Sequence, residues 1–181
     1  MFKFNVKLTE KDYFEFNKFV AISSPYGKKQ IRGAKIALTV FAVVLGLISL
    51  YGGDFTAEAF IGIIPLLIFF VLFNVFCTKL VEFMVKSNIK SVKKRGTPLY
   101  DPESVLEFYD DRFVEITPDA KTELKYSSIE RAFVVDKRIY LLRNHMSGFI
   151  LPMTCFGSAE QFNSFVEFIG TKVSDVESVN K

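Results

Sequence analysis

Two uncharged apolar runs, IALTVFAVVLGLISLY at residues 36–51 and FIGIIPLLIFFVLFNVFC at residues 60–77, set the architecture of this chain. A helix that crosses a bilayer needs roughly 20 largely apolar residues, with about 17 as the lower limit. The second run reaches that limit alone, and the first reaches it once its small flanking residues are included. The pattern predicts a transmembrane hairpin at residues 33–78, with helices at 34–52 and 60–78. The alternative is two buried core helices of a soluble protein, which so small a domain would cover poorly.

Basic residues flank the hairpin on both sides, whereas the connector at residues 52–59 carries Asp54 and Glu58 and no base. Because basic residues stay on the cytoplasmic side, we expect two passes through the plasma membrane with both termini cytoplasmic. We also expect these bases to contact anionic lipid, at about 1 kcal/mol each near the surface. They are Lys28, Lys29, Arg32, Lys35, Lys86, Lys90, Lys93, Lys94 and Arg95.

Small residues recur on the first predicted span at spacings of three and four, which lets another helix approach closely in lipid. The second span is the preferred partner, and a second copy of the chain is the alternative. Asn74, the sole amide in either span, is expected to bond across to the first helix or to lie near the interface with water. The predicted packing residues are Thr39, Ala42, Gly46, Ser49 and Gly53, together with Asn74.

The second helix is predicted to continue beyond the membrane as an amphipathic stalk over residues 79–97. Val81, Val85, Ile89 and Val92 extend an apolar stripe beside a row of lysines. This spacing is typical of a helix with one buried face, and the glycine and proline that follow predict its end.

From residue 100 the apolar period changes from helical spacing to two, which predicts an antiparallel β module over residues 100–173. Ser158, followed three residues later by Gln161, predicts a capped helix that closes the sheet. Residues 174–181 are expected to form a flexible tail. The predicted strands are residues 104–109, 112–117, 121–126, 131–135, 138–143 and 148–151.

The N-terminal arm, residues 1–32, combines an alternating strand at 2–8 with a helix that Thr9 and Asp12 cap. A lone strand and helix are not stable by themselves, so we expect the arm to pack on the C-terminal module. The fold class is therefore α+β: a transmembrane hairpin plus a cytoplasmic antiparallel β module with a C-terminal capping helix. Periodicity leaves open whether that module is a pleckstrin-homology-like, partly closed barrel or an open sheet.

Several short motifs characterise the chain: LTEKDY at residues 8–13 followed by Phe16 and Asn17, YSSI at 126–129, IYL at 139–141, FILP at 149–152 and Phe156. In these motifs, and in the order arm, two helices, sheet module, the chain resembles the YcxB-like membrane proteins of Gram-positive bacteria. The resemblance implies a bacterial membrane protein with a cytoplasmic pleckstrin-homology-like module. It implies no reaction, cofactor or catalytic residue.

Chemistry-bearing constellations are sparse. His145 is the only histidine, Cys155 has no neighbouring base, and Asp110-Asp111 is typical of a hairpin turn. We find no metal-ligand spacing and no phosphate-binding glycine loop, so catalytic residues, metals and cofactors are predicted to be absent. The net charge of +3 comes from the juxtamembrane bases and predicts no nucleic-acid partner.

The leading functional hypothesis is a non-enzymatic binding or scaffold module tethered to the inner leaflet, with the bilayer and a membrane or cytoplasmic protein as partners. Its candidate partner-binding residues are Tyr140, Arg143, His145 and Met146, which we place at a hairpin tip. One alternative is an accessory or regulatory subunit of a membrane transporter or enzyme complex. Another is a hydrolase or transferase at the membrane, which would need titratable groups that converge in a pocket.

Overall fold

The computed structural model describes residues 1–51, 57–96 and 100–179. They form two compact units, one made of Met1–Asn17 and Ile89–Lys181 and the other of Lys18–Asn88. The second unit is therefore inserted in sequence between two parts of the first. Of the N-terminal arm, the first unit contains Met1–Asn17.

The first unit contains a four-stranded antiparallel sheet in the order β1-β2-β3-β4. Its strands are β1 (Phe2–Lys7), β2 (Glu103–Phe108), β3 (Arg112–Ile116) and β4 (Lys121–Lys125). The arm strand β1 pairs with β2 along its whole length, from Phe2 opposite Phe108 to Lys7 opposite Glu103. The arm thereby supplies an edge strand of this sheet.

A second sheet has the order β7-β6-β5-β8. Its strands are β5 (Arg131–Val135), β6 (Arg138–Leu142), β7 (Gly148–Pro152) and β8 (Val176–Val179). The expectation of a flexible tail from residue 174 is wrong for residues 176–179, because β8 pairs in parallel with β5. Residues 180–181 of that predicted tail lie outside the described residues.

Both sheets share one apolar core with helix α4, which follows β7 and covers residues Ala159–Lys172. The Ser158 hydroxyl accepts a hydrogen bond from the Gln161 backbone N–H, as the capping pattern predicts. The antiparallel, α+β character expected from the period-two segments is confirmed. Core side chains come from both sheets and from α4, and they include Phe4, Leu106, Phe108, Phe113, Leu141, Leu151, Phe165 and Ile169.

Three further helices join β1 to β2: α1 (Glu10–Lys18), α2 (Pro25–Tyr51) and α3 (Ala57–Lys94). A π-helical turn, Phe19–Ser23, separates α1 from α2. Helix α2 begins at Pro25, earlier than the predicted residue 34, because proline at the first helical position is favourable after a serine cap. Helix α3 combines the second apolar run and the predicted stalk in one helix. It ends before Gly96, whose φ of 75° is typical of a helix C-terminus.

Helices α2 and α3 each contain an 18-residue stretch long and apolar enough to cross a membrane, within Pro25–Ile48 and Leu67–Lys94, and the mean hydropathy of each stretch is 2.0. Little of either stretch is buried by the rest of the described chain. Their apolar side chains thus lack the cover that the core helices of a soluble domain have. Exposed large apolar side chains on them include Val40, Val43, Leu47, Ile68, Phe69, Val71, Val75 and Phe83.

Candidate functional site

A cavity of about 290 Å³ lies within the first unit, at the end of the β module that α1 covers. Its floor is apolar and comes from both sheets, through side chains such as Val6, Leu106 and Ile150. Its walls carry polar groups from α1, from the start of β2, from β3 and from the β6–β7 connection. The polar and aromatic lining residues are Tyr13, Asn17, Tyr100, Asp101, Ser104, Glu115 and Ser147.

Glu115 lies on the inner face of the first sheet because of strand alternation. It is two residues after the buried Phe113, and it stands opposite the buried Leu106 on β2. Burial raises the pKa of its carboxyl, the neighbouring Asp101 carboxylate raises it further, and Arg143 lowers it. Within the described part of the chain, no hydrogen bond or ion pair engages the Glu115 carboxylate. An acid thus occupies a position that the strand pattern reserves for an apolar side chain.

Two tyrosines form an aromatic wall of the cavity. The rings of Tyr13, from α1, and Tyr100, from the segment before β2, have centroids 5.0 Å apart and planes inclined by 30°. Burial and the Glu10 carboxylate raise the pKa of the Tyr100 hydroxyl, against the lowering effect of Lys93. The Tyr100 phenol is therefore neutral at physiological pH, and both residues contribute an aromatic ring and a hydroxyl to the lining.

Helix α1 is held in place at the cavity by Asp12. Its carboxylate accepts hydrogen bonds from the Thr9 hydroxyl at 2.6 Å and from the Arg138 guanidinium of β6 at 3.2 Å. Burial opposes ionisation of Asp12, but the bonds from Thr9 and Arg138 outweigh it and hold its pKa below the ordinary value. The Phe16 ring packs against Tyr140 at 5.3 Å between centroids. The arm is thus a fixed wall of the cavity.

We expect Asp12→Asn to weaken the docking of α1 by about 2 kcal/mol, because the half-buried Arg138 loses its charged partner. Hydrogen exchange of the α1 amides measures this change. Because folding lowers the pKa of Asp12, its contribution is complete above the unfolded value of 3.8 and is lost as the pH falls through and below that value. Hydrogen exchange of the α1 amides should therefore become equal in the wild type and in Asp12→Asn at acid pH. Asp119→Asn, in an exposed turn, is the control, and equal exchange in all three proteins at neutral pH would contradict this role.

The predicted hairpin tip lies between β6 and β7. Asn144 organises it, since its side-chain oxygen accepts hydrogen bonds from the backbone N–H groups of Met146 and Ser147. Arg143, His145 and Met146 are exposed there, and Met146 also lines the cavity. Tyr140 is different: it lies inside β6, only 1% exposed. Its placement at a free tip is wrong: Ile139 and Leu141 face the shared core, and the Tyr140 ring lies on the opposite face of the strand, where Phe16 of α1 covers it.

The predicted packing stripe on α2 is partly covered, since Ala42 and Gly46 are half-buried. Among the described residues, a Cβ built on Gly46 would meet nothing within 4 Å. Thr39 is exposed, and its hydroxyl is bonded to the Lys35 carbonyl of its own helix. Asn74 donates to the Phe70 carbonyl of α3 itself at 3.0 Å, and within the described ranges its amide makes no bond to the first helix. Gly53 and the side chain of Ser49 lie outside the described residues.

The predicted lipid-contacting bases differ in their surroundings. Lys35 is half-buried. Lys93 forms an ion pair with Glu10 of α1, which raises the pKa of its ammonium through the hydrogen bond and the charge of that carboxylate. The remaining bases are exposed: Lys28, Lys29, Arg32, Lys86, Lys90, Lys94 and Arg95.

Cys155 and the pair Asp110-Asp111 make contacts that are typical of structural residues. The Cys155 thiol lies 3.0 Å from the Pro152 carbonyl, and burial raises its pKa to about 12, so it is not a ready nucleophile. Asp110 pairs with Lys172 and Asp111 with Arg112 at the β2–β3 turn. In the described ranges, no group of three or more metal-ligating side chains comes together.

Residues 108–169 match the family model of the YcxB-like proteins. The matched segment runs from the last residue of β2 to Ile169 in α4 and includes β3–β7. The motifs at 126–129, 139–141 and 149–152 lie within it, which confirms the resemblance for this part of the module. The opening motif at 8–13 lies outside the match and stays a prediction. No curated protein and no solved structure matches the chain.

Apart from Met146, the residues that line the cavity were not predicted as site residues from the sequence. Glu115 lies inside the matched segment, whereas Tyr13, Tyr100 and Asp101 lie outside it. One signal was present: Glu115 interrupts the apolar phase of the strand at 112–117, where the strand period alone predicts an inward side chain. Tyr13, which lines the same cavity, is remote from Glu115 in sequence and reaches it only through the docking of the arm, whereas the pairing of β2 with β3 brings Asp101 near.

Proposed function

We propose that this chain is a two-pass protein of the bacterial plasma membrane that holds a non-enzymatic binding module at the inner leaflet. The observation that carries the proposal is the insertion of two exposed apolar helices into one connection, between β1 and β2, of a folded β module. Apolar surface on this scale is stable against lipid and costly against water. The module keeps its own core, so the hairpin serves as an anchor.

We further propose that the module is pleckstrin-homology-like. Two antiparallel-rich sheets face one core, the first seven strands follow one another as two meanders, and α4 comes after β7. The arm provides the first of these strands. On this view the hairpin is an insertion into the first β-connection of such a module.

The distribution of bases supports cytoplasmic termini. Exposed lysines and arginines stand near the start of α2 and near the end of α3, while the connector between the helices is acidic. The positive-inside rule then places both helix ends that join the β module in the cytoplasm. Anionic headgroups of the inner leaflet would contact these bases.

The cavity favours binding over catalysis. A hydrolase or transferase would need titratable groups that come together in a pocket, and Glu115 and Asp101 do so. A general acid or base must also be oriented toward a reacting atom by a partner. In the described residues neither carboxylate has such a hydrogen-bond partner, and Cys155 does not line the cavity. The arrangement provides charge and shape for a ligand without an activated nucleophile.

A pair of arginine substitutions tests the membrane anchor. Leu47 on α2 and Met146 on the β6–β7 tip are similarly exposed, at 61% and 66%. We expect Leu47→Arg to lower the carbonate-resistant membrane fraction, because a charge within a span is costly on insertion, by up to about 2.5–3.5 kcal/mol at the centre. Met146→Arg should leave that fraction unchanged. If both variants behaved like the wild type, or if the wild type were soluble without detergent, the anchor would be disproved.

The space beside Gly46 on α2 supports a second candidate, an accessory subunit of a membrane complex. Among the described residues, a Cβ at Gly46 would meet nothing within 4 Å, which leaves room for the backbone of a helix from another protein. Crosslinking from Gly46 separates the two functions: a product within the chain favours the tethered module, whereas an adduct with another protein favours the subunit.

A further inference from the structure

We propose that the cavity binds an organic ammonium group carried on a short alkyl chain, the chemistry of a lysine side chain or of a small aliphatic amine. This inference rests on the proposed binding function and gives it a ligand class. Three features carry it: the charge of the cavity, its aromatic walls and its size.

The cavity carries negative charge. Glu115 and Asp101 both line it, and no basic residue is found among its described lining residues. Arg143 is near enough to act on Glu115 through its charge, but it is exposed and is not part of the lining. An anion would therefore meet two carboxylates, whereas a cation would relieve the repulsion between them. The unengaged Glu115 carboxylate supplies the acceptor that a bound ammonium requires.

The walls suit a cation that is joined to an apolar chain. Tyr13 and Tyr100 offer ring faces, which attract ammonium groups through the quadrupole of the ring. An alkyl chain would contact Val6, Leu106 and Ile150 on the floor. An inorganic cation would leave this apolar surface unused, because metal ions take oxygen or nitrogen ligands.

The hydrogen-bond acceptors of the cavity and its volume restrict the class of ligand further. An ammonium group has three N–H donors and no acceptor. The acceptors in the lining include the side-chain oxygen atoms of Glu115, Asp101 and Ser104. A volume of about 290 Å³ is near the lower end of the range for ligand pockets, which suits a short aliphatic chain and not a large aromatic ligand.

The test is titration of the full chain in detergent with n-butylammonium, followed by NMR or calorimetry, with n-butanol as the neutral probe of the same shape. We expect n-butylammonium to bind and n-butanol to bind at least about tenfold more weakly, the change that loss of one charged contact of 1.4 kcal/mol produces. Glu115→Gln and Asp101→Asn should each weaken n-butylammonium binding by about tenfold. Glu130→Gln, which removes an exposed carboxylate outside the cavity, is the matched control and should have no effect.

The inference is overturned if n-butylammonium does not bind, if n-butanol binds equally well, or if Glu115→Gln binds within twofold of the wild type while its circular dichroism is unchanged. A capped Gly-Lys-Gly peptide distinguishes the source of the ammonium. Tighter binding of the peptide than of n-butylammonium assigns a protein side chain, and the reverse assigns a free amine. Membrane extraction of Glu115→Gln is measured in parallel, because loss of amine binding with a normal membrane fraction separates this site from the anchor.

Discussion

Replacement of Phe165 by alanine should destabilise the β module by about 3–5 kcal/mol, the range for removal of a fully buried phenylalanine ring. Phe165 is completely buried on α4, and its ring meets phenylalanines from both ends of the chain. The cavity left by the ring cannot be closed by backbone movement, because the surrounding side chains belong to paired strands. The neighbouring rings are those of Phe2, Phe4, Phe108 and Phe156, with centroids 5.3, 4.8, 4.7 and 5.8 Å away.

Thermal unfolding of the detergent-solubilised chain, followed by near-ultraviolet circular dichroism, measures this loss. Phe83→Ala on α3 removes the same atoms from a side chain that is 68% exposed, so it should leave the transition of the β module unchanged. Since Phe165 contacts Phe2 and Phe4, its replacement should also increase hydrogen exchange in β1. Equal melting of the two variants would mean that α4 does not complete this core.

The second large effect is expected from Gly148→Ala at the start of β7. A Cβ on Gly148 would lie 2.3 Å from the Leu141 carbonyl oxygen and 2.8 Å from the Leu142 Cα. Both atoms belong to the paired strand β6, so relief requires the two strands to separate. We expect a loss of about 3 kcal/mol, the upper part of the range for overpacking. Amine binding should fall as well, because Phe149 and Ile150 of β7 line the cavity.

Gly170→Ala is the control for this substitution. A Cβ at Gly170 would meet nothing within 4 Å, and alanine is favoured over glycine in a helix by about 0.5–1 kcal/mol. The same chemical change should therefore stabilise the module at Gly170 and destabilise it at Gly148. Chemical unfolding of the two variants measures the change in the free energy of unfolding, which should be an increase at Gly170 and a decrease at Gly148. A Gly148→Ala protein as stable as the wild type would show that β6 and β7 are less closely paired than described.

Much of the secondary structure was predictable because its signals are local. Strand alternation, the two-residue turns and the caps at Thr9 and Ser158 each depend on residues within a few positions of one another. The parallel strand β8 was missed because its pairing with β5 depends on a chain reversal through α4. A short strand that follows a helix has no local signal that distinguishes it from a tail.

The candidate site was less predictable than the fold. Arg143, His145 and Met146 were placed correctly at an exposed tip, but the burial of Tyr140 depends on contact with Phe16, which is remote in sequence. Glu115 was visible only as a break in an apolar pattern. Its place in the cavity depends on Asp101, which the pairing of β2 with β3 brings near, and on α1, which follows the arm strand β1 paired with β2.

The sequence by itself determined the two apolar helices, the α+β class and the position of the basic residues on the outer ends of the hairpin. Each of these follows from composition and period along the chain. Only the tertiary structure decided that the arm completes the first sheet, that residues 176–179 join the second and that an acid lies inside an aromatic cavity. The physical reason is that periodicity fixes which way a side chain points, while the energy of that side chain depends on distant segments that pack against it.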